Sequence, residues 1–175
     1  MRVSRLLMFC LAIFLCAGSV HAAPVVTVTF DGQAVRCPSS KFTANDGGVE
    51  VAGWSWGAGN TTQPGSPIVG KPTFNPFLIM KGFDACTIQL LPSLFGGKVF
   101  RTITVREYKN SPQDGSPLLN MTVTLTNAYI SNYDVGSTDD RGALEAWKFV
   151  SERICLKDAA TSTEACWDLK LNRGN

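Results

Sequence analysis

Hydrophobic and polar positions along most of the chain alternate with a period of two, the spacing that turns successive side chains to opposite faces of a strand. Val26, Val28 and Phe30 alternate with Thr27 and Thr29 and stop at Asp31-Gly32, so Val25 to Phe30 is read as a strand entering a turn. Val49 to Trp56 follows as a second strand, with Ala52, Trp54 and Trp56 on one face. Phe77 to Lys81 is a short extended run, and Val99 to Tyr108, Leu119 to Ile130, Leu144 to Leu156 and Cys166 to Leu171 supply the rest. The cleanest alternation sets Met121, Val123 and Leu125 against Thr122, Thr124 and Thr126. One segment has helical spacing: Asp84 stands as N-cap to a helix turning Ile88, Leu91, Leu94 and Phe95 toward the core until Gly96-Gly97 ends it. Pro92 inside that run predicts a kink or a split. Gly57 to Pro76 is rich in Gly, Pro, Ser and Thr without an apolar period and reads as a long loop. Asn110 to Pro117 and Gly136 to Gly142 carry turn chemistry. Strand after strand with one helix, and no strand-helix-strand rhythm, predicts a mostly antiparallel barrel or sandwich.

The N-terminus changes the charge picture. Arg2 and Arg5 precede the apolar run Leu6 to Ala17, and Val20-His21-Ala22 offers small residues for a signal peptidase, so residues 1 to 22 read as a secretory signal peptide cut after Ala22. The run is too short for a membrane span. Of 175 residues, 22 leave and 153 remain, a single domain over residues 23 to 175 that is exported, periplasmic or secreted. The 16 Lys+Arg lose Arg2 and Arg5 and become 14 against 14 Asp+Glu, and the only histidine, His21, is removed. A neutral mature chain argues against nucleic-acid partners, which select a clustered positive surface. Without histidine there is no Ser-His-Asp or Cys-His catalysis and no histidine zinc site.

Cys10 and Cys16 also leave, so Cys37, Cys86, Cys155 and Cys166 remain, an even count that in an exported chain reads as two disulfides. Four cysteines allow three pairings. Cys155 and Cys166 flank the polar stretch Lys157 to Glu164 between two strand-like runs, which favours Cys155-Cys166 across a hairpin and, by elimination, Cys37-Cys86. No C-x-x-C knuckle supports a zinc site. Gly65 to Lys71 fits the first seven positions of a phosphate-binding loop, but Pro72 replaces the required Ser or Thr and no helix pattern follows, which excludes a nucleotide site. Asp134 and Glu145 have the end spacing of a calcium loop, yet Gly136 stands where a ligand is needed. No carboxylate pair falls in a recognisable motif and no G-x-S-x-G elbow occurs. The expectation is a non-enzymatic protein with no cofactor and no metal. Trp54 and Trp56 place large aromatic surface on one strand, read first as core or interface packing and second as a stacking platform.

In order along the chain, the strand ending Phe30-Asp31-Gly32, Trp54-Ser55-Trp56-Gly57, Gly70-Lys71-Pro72-Thr73-Phe74, and Asp84, Thr87, Leu90, Leu91, Leu94, Gly97 and Lys98 resemble the haemolysin-coregulated protein (Hcp) family of type VI secretion. So do the strand Met121 to Tyr133, Asp134-Val135-Gly136-Ser137, and the strand Glu145 to Ile154. The resemblance implies a small antiparallel β-barrel with one short α-helix, without catalytic residues, that assembles into hexameric rings and tubes and binds secreted effectors or other secretion-apparatus proteins. To that pattern this chain adds a signal peptide, four mature cysteines and Pro92. Trp54, Trp56, Lys71 and Asp84 are the candidate interface residues, with the long loop and the helix start forming part of the contact between subunits. The alternatives are a disulfide-stabilised periplasmic binding module and a secreted hydrolase using paired carboxylates.

Overall fold

A computed structural model describes residues 25–31, 48–62, 69–137 and 142–174. The signal peptide expected over residues 1 to 22, Cys37 and most of the Gly136 to Gly142 turn lie outside these described residues. The strands are β1 (Val25–Asp31), β2 (Val49–Val51), β3 (Gly53–Ser55), β4 (Ala58–Thr62), β5 (Val69–Phe74) and β6 (Phe77–Gly82). The helix α1 (Ala85–Phe95) separates these from β7 (Val99–Asn110), β8 (Pro117–Ser137), β9 (Ala143–Val150), β10 (Arg153–Asp158), β11 (Glu164–Asp168) and β12 (Arg173–Gly174). The fold is mostly β, antiparallel throughout its ladders, with one short helix.

The 21-residue β8 is the organising strand. One edge pairs with β7; the other pairs first with β10, Met121↔Asp158 to Thr126↔Arg153, and then with β9, Tyr129↔Val150 to Ser137↔Ala143. From β9 the ladders pass to β6 and β3, and from β7 to β1 and β2. Among the described residues no ladder joins β2 to β3, so the expected barrel is an antiparallel sheet that is not closed. The chain passes from β2 to β3 at Ala52, whose N–H donates to the carbonyl of Met80 at 2.8 Å. Inside lie Val28, Ile79, Phe100, Ile103, Leu125, Trp147, Phe149 and Ile154, all 2 % exposed or less.

Val123 and Leu125 face this core as the alternation predicts, but the next inward residues are Ala128 and Ile130. The odd step falls at Asn127, whose φ of 50° is a left-handed conformation that asparagine tolerates better than most residues. A matching odd step separates Phe100 from Ile103 on β7, so both strands turn a corner together. Opposite the corner, Ser151 and Glu152 leave the ladder: the Glu152 N–H donates to the Thr126 carbonyl at 3.0 Å and Asn127 Nδ2 donates to Glu152 Oε2 at 2.8 Å. The single strand expected over Leu144 to Leu156 is therefore two strands, β9 and β10, broken by the bend in their neighbour. Likewise the run Cys166 to Leu171 leaves the strand conformation after Asp168.

The long loop expected over Gly57 to Pro76 is a β-hairpin. Ala58↔Phe74, Gly59↔Thr73, Asn60↔Pro72 and Thr62↔Val69 pair β4 with β5 as a separate two-stranded ladder, with a bulge between Asn60 and Thr62. Ala58, Gly59, Asn60, Lys71 and Thr73 are exposed while Pro72 and Phe74 are half-buried, and the sequence of the hairpin carries no apolar alternation.

The helix begins as expected. Asp84 Oδ1 accepts from the backbone N–H of Cys86 at 2.8 Å and of Thr87 at 3.2 Å, and Thr87 Oγ1 accepts from the Asp84 N–H at 3.2 Å, a reciprocal cap. Pro92 lies within the helix without splitting it. The expected core face is corrected. Cys86, Thr87, Leu90 and Ser93 are buried and Leu91 and Leu94 half-buried, whereas Ile88 is 58 % and Phe95 79 % exposed. The inward face is set by the polar bonds of Thr87 as well as by apolar residues, a preference that hydrophobic spacing does not report.

Candidate functional site

Trp54 sits at the inner side of β3, half-buried, stacked on Phe77 with ring centroids 5.5 Å apart, and its Nε1 donates to Glu107 Oε2 at 3.1 Å. The second carboxylate oxygen of Glu107 accepts from Asn120 Nδ2 at 3.0 Å. Trp56, just past β3, stacks on Phe74 at 6.0 Å where the hairpin leaves the main sheet. Lys71 is exposed on β5, and Asp84 caps α1 while pairing with Lys81. The contacts that hold Trp54, Trp56 and Asp84 are thus made to other residues, not to one another.

A buried polar cluster escapes the sequence reading. Lys81 at 2 % exposure and Glu145 at 1 % form an ion pair, Nζ to Oε2, at 2.9 Å. The ammonium also donates to Asp84 Oδ1 at 2.8 Å, Thr87 Oγ1 at 3.0 Å and the Gly82 carbonyl at 2.6 Å. Glu145 further accepts from Thr87 Oγ1 at 2.8 Å, Trp147 Nε1 at 3.1 Å and Tyr133 Oη at 2.9 Å. Burial, and then the bond to Glu145, push the Tyr133 hydroxyl up to about 12. Every charge here is matched by opposite charge or by donors, the condition under which buried ions are tolerated. The cluster ties β6, β8 and β9 to the start of α1. Its sequence signal was present: Lys81 and Glu145 are charges at the core-facing positions of strands whose other core-facing residues are apolar, where an unpartnered charge would be prohibitive.

Where the hairpin root, the β8 corner and the break before β10 meet, a cavity of about 370 Å³ opens, lined by Trp56, Phe74, Phe77, Tyr129 and Phe149, with Glu152 and Lys170 at its rim. The Asn127 amide, followed by Lys170, holds the Glu152 carboxyl below the usual carboxylate range. Several apolar side chains along this stretch are exposed: Ile88 and Phe95, seven apart on the helix, Phe83 before it and Val99 after it. The eleven residues of α1 include no charged side chain. Cys155 and Cys166 stand directly opposite in the β10–β11 ladder, Cα atoms 4.0 Å apart, and are bridged. Cys86 is also disulfide-bonded. Among the described residues no helix is long and apolar enough to cross a membrane.

The fold is thus an antiparallel β fold carrying one capped helix, with its Lys81–Glu145 cluster enclosed. Residues 39–157 match the family model for the type VI secretion system effector, Hcp, and with more than half of its length matched the chain belongs to that family. A crystal structure of an Hcp protein superposes with a TM-score of 0.73 at 14% identity, over 84% of this chain and 99% of that one. Hcp1 from Salmonella typhimurium gives 0.70 at 18%, over 88% and 100%. The secreted protein Hcp3 from Pseudomonas aeruginosa gives 0.63 at 19%, over 83% and 99%. At these identities the likeness is one of fold. No curated protein matches this chain.

Proposed function

We propose that this protein is a non-enzymatic member of the Hcp family, exported behind the signal peptide of residues 1 to 22. It self-associates into a ring, expected to be hexameric, and acts by binding other proteins, an effector or a part of the type VI apparatus. The observation that carries this reading is the uncharged helix α1 with Ile88 and Phe95 turned outward, bordered by Phe83 and Val99. Clustered exposed apolar side chains rimmed by polar residues mark protein contact surfaces. The free-standing β4–β5 hairpin supports the same reading, because a two-stranded ladder alone is marginal and gains stability from a neighbour. The carboxylate-hydrolase alternative has no support from the Asp84 and Glu145 pair, since both carboxylates are held by Lys81 and Glu145 is closed off from solvent.

Size-exclusion chromatography with light scattering on residues 23 to 175 tests the reading. Six times the protomer mass is the expected result, and a monomer at every concentration overturns it. The aromatic cavity favours a second reading, a disulfide-stabilised periplasmic binding module. A monomer whose Trp56 fluorescence responds to apolar ligands would select it.

A further inference from the structure

Cys155, Glu164 and Cys166 place their two sulfurs and a carboxylate oxygen within 4.8 Å of one another. Cys155 faces Cys166 directly across the β10–β11 ladder, and Glu164 lies two residues earlier on the same face of β11, opposite Lys157. With the disulfide closed the sulfurs bond each other and cannot serve as metal ligands. Two thiolates and a carboxylate on a paired sheet are, however, a donor set for a borderline-soft divalent ion, with one coordination position left to water. We propose that on reduction of the Cys155–Cys166 bridge these three residues bind Zn²⁺, so that the β10–β11 hairpin is stapled by a disulfide in an oxidising compartment and by a metal ion in a reducing one.

Three features of the setting point the same way. β10 is hydrogen-bonded on both edges, to β8 and to β11, so the ladder that aligns the ligands does not depend on the sulfur–sulfur bond. Arg153 Nε donates to Cys155 Sγ at 3.4 Å, so a donor from the same strand already orients this sulfur. Cys155 is 9 % exposed while Glu164 is open to solvent, which gives the ion an entry side and a sheltered one. The chemistry balances. A dithiol or phosphine reductant cleaves the sulfur–sulfur bond, being oxidised as the two cysteines gain two electrons and two protons. Zn²⁺ then binds both sulfurs as thiolates, releasing the protons to solvent, and a Glu164 oxygen displaces one of its waters.

The test uses the full mature chain, reduced with a phosphine under anaerobic conditions and titrated with Co²⁺, whose thiolate charge-transfer and ligand-field absorption report the donor set. The expected result is an absorption that saturates at one Co²⁺ per chain and is abolished by one equivalent of Zn²⁺. The double variant Cys155→Ser/Cys166→Ser, which keeps Cys37 and Cys86, should lose it. Glu164→Gln should weaken Co²⁺ binding by about tenfold or more, because a charged ligand becomes a neutral one. Circular dichroism of the reduced chain before metal is added should retain the β signature. Absence of the absorption, its persistence in the double variant, unchanged affinity in Glu164→Gln, or loss of the fold on reduction alone each overturns the proposal.

Discussion

Lys81 and Glu145 show how one charge constrains a small core. Each is enclosed, and each is held by the other and by neutral donors or acceptors from β8, β9 and α1. Removing the ammonium leaves Glu145 as a buried anion with hydroxyl and indole donors but no cation. Lys81→Met is therefore expected to lower stability by about 3 to 5 kcal/mol, read from urea unfolding as a lower midpoint at unchanged slope. Pairing it with Glu145→Gln should recover part of the loss, whereas simple large-to-small packing defects would add. Asp114 is the opposite case, a carboxylate in water at the turn between β7 and β8. Hydrogen bonds from the Ser116 hydroxyl first, then from Ser111 and the Ser116 N–H, lower its pKa from 3.8 to about 2. Because the folded value lies below the unfolded one, the turn gains its stabilisation above about pH 4 and loses it as pH falls through about 2. In an NMR titration the Asp114 carboxyl carbon should show its midpoint near the lower value, and Ser116→Ala should move that midpoint upward.

Among the elements, the outer hairpin of β10 and β11 carries a staple whose removal tests its stability. Cys155 and Cys166 are 11 residues apart in sequence, and in the chain-entropy account such a short closed loop contributes roughly 3 kcal/mol. The double serine variant should unfold correspondingly earlier under oxidising conditions. The partner of Cys86 is proposed to be Cys37, and a non-reducing peptide map should show that pair; a Cys37–Cys155 or Cys86–Cys166 peptide would contradict both bridges. Elements that bury one face were legible in the sequence. Val25 to Phe30, Met121 to Thr126 and the Asp84 cap each leave a periodic or local chemical mark. What stayed hidden answers to tertiary causes: with Ala58 to Asn60, Lys71 and Thr73 exposed, the β4–β5 shaft carries no apolar period. The break at Ser151-Glu152 is imposed by the Asn127 corner of another strand, and the inward face of α1 is fixed by Thr87 reaching Lys81 and Glu145. Of the candidate interface residues, Trp54 could be placed by its amphipathic position but not its bond to Glu107, which joins strands far apart in sequence.

At the scale of the whole molecule, the buried Lys81 cluster and the exposed face of α1 are two ends of one arrangement. The cluster fixes the first turn of the helix on the sheet, and the same rotation that turns Thr87 and Leu90 inward turns Ile88 and Phe95 outward. A helix held this firmly presents its apolar face as a rigid surface, which lowers the ordering cost of association. Ile88→Glu with Phe95→Glu should then convert the proposed ring to monomers in light scattering. Because both side chains are exposed in the protomer, far-UV circular dichroism and the thermal midpoint of the monomer should change little, about 0.5 kcal/mol or less per site. Lys71→Glu on the hairpin should weaken assembly without altering the protomer, testing the second half of the contact independently. If the helix variant stays assembled while the hairpin variant dissociates, the contact is built from the β4–β5 ladder instead. If both remain rings, neither surface is the interface, and the exposed apolar side chains of α1 would have to serve a different partner.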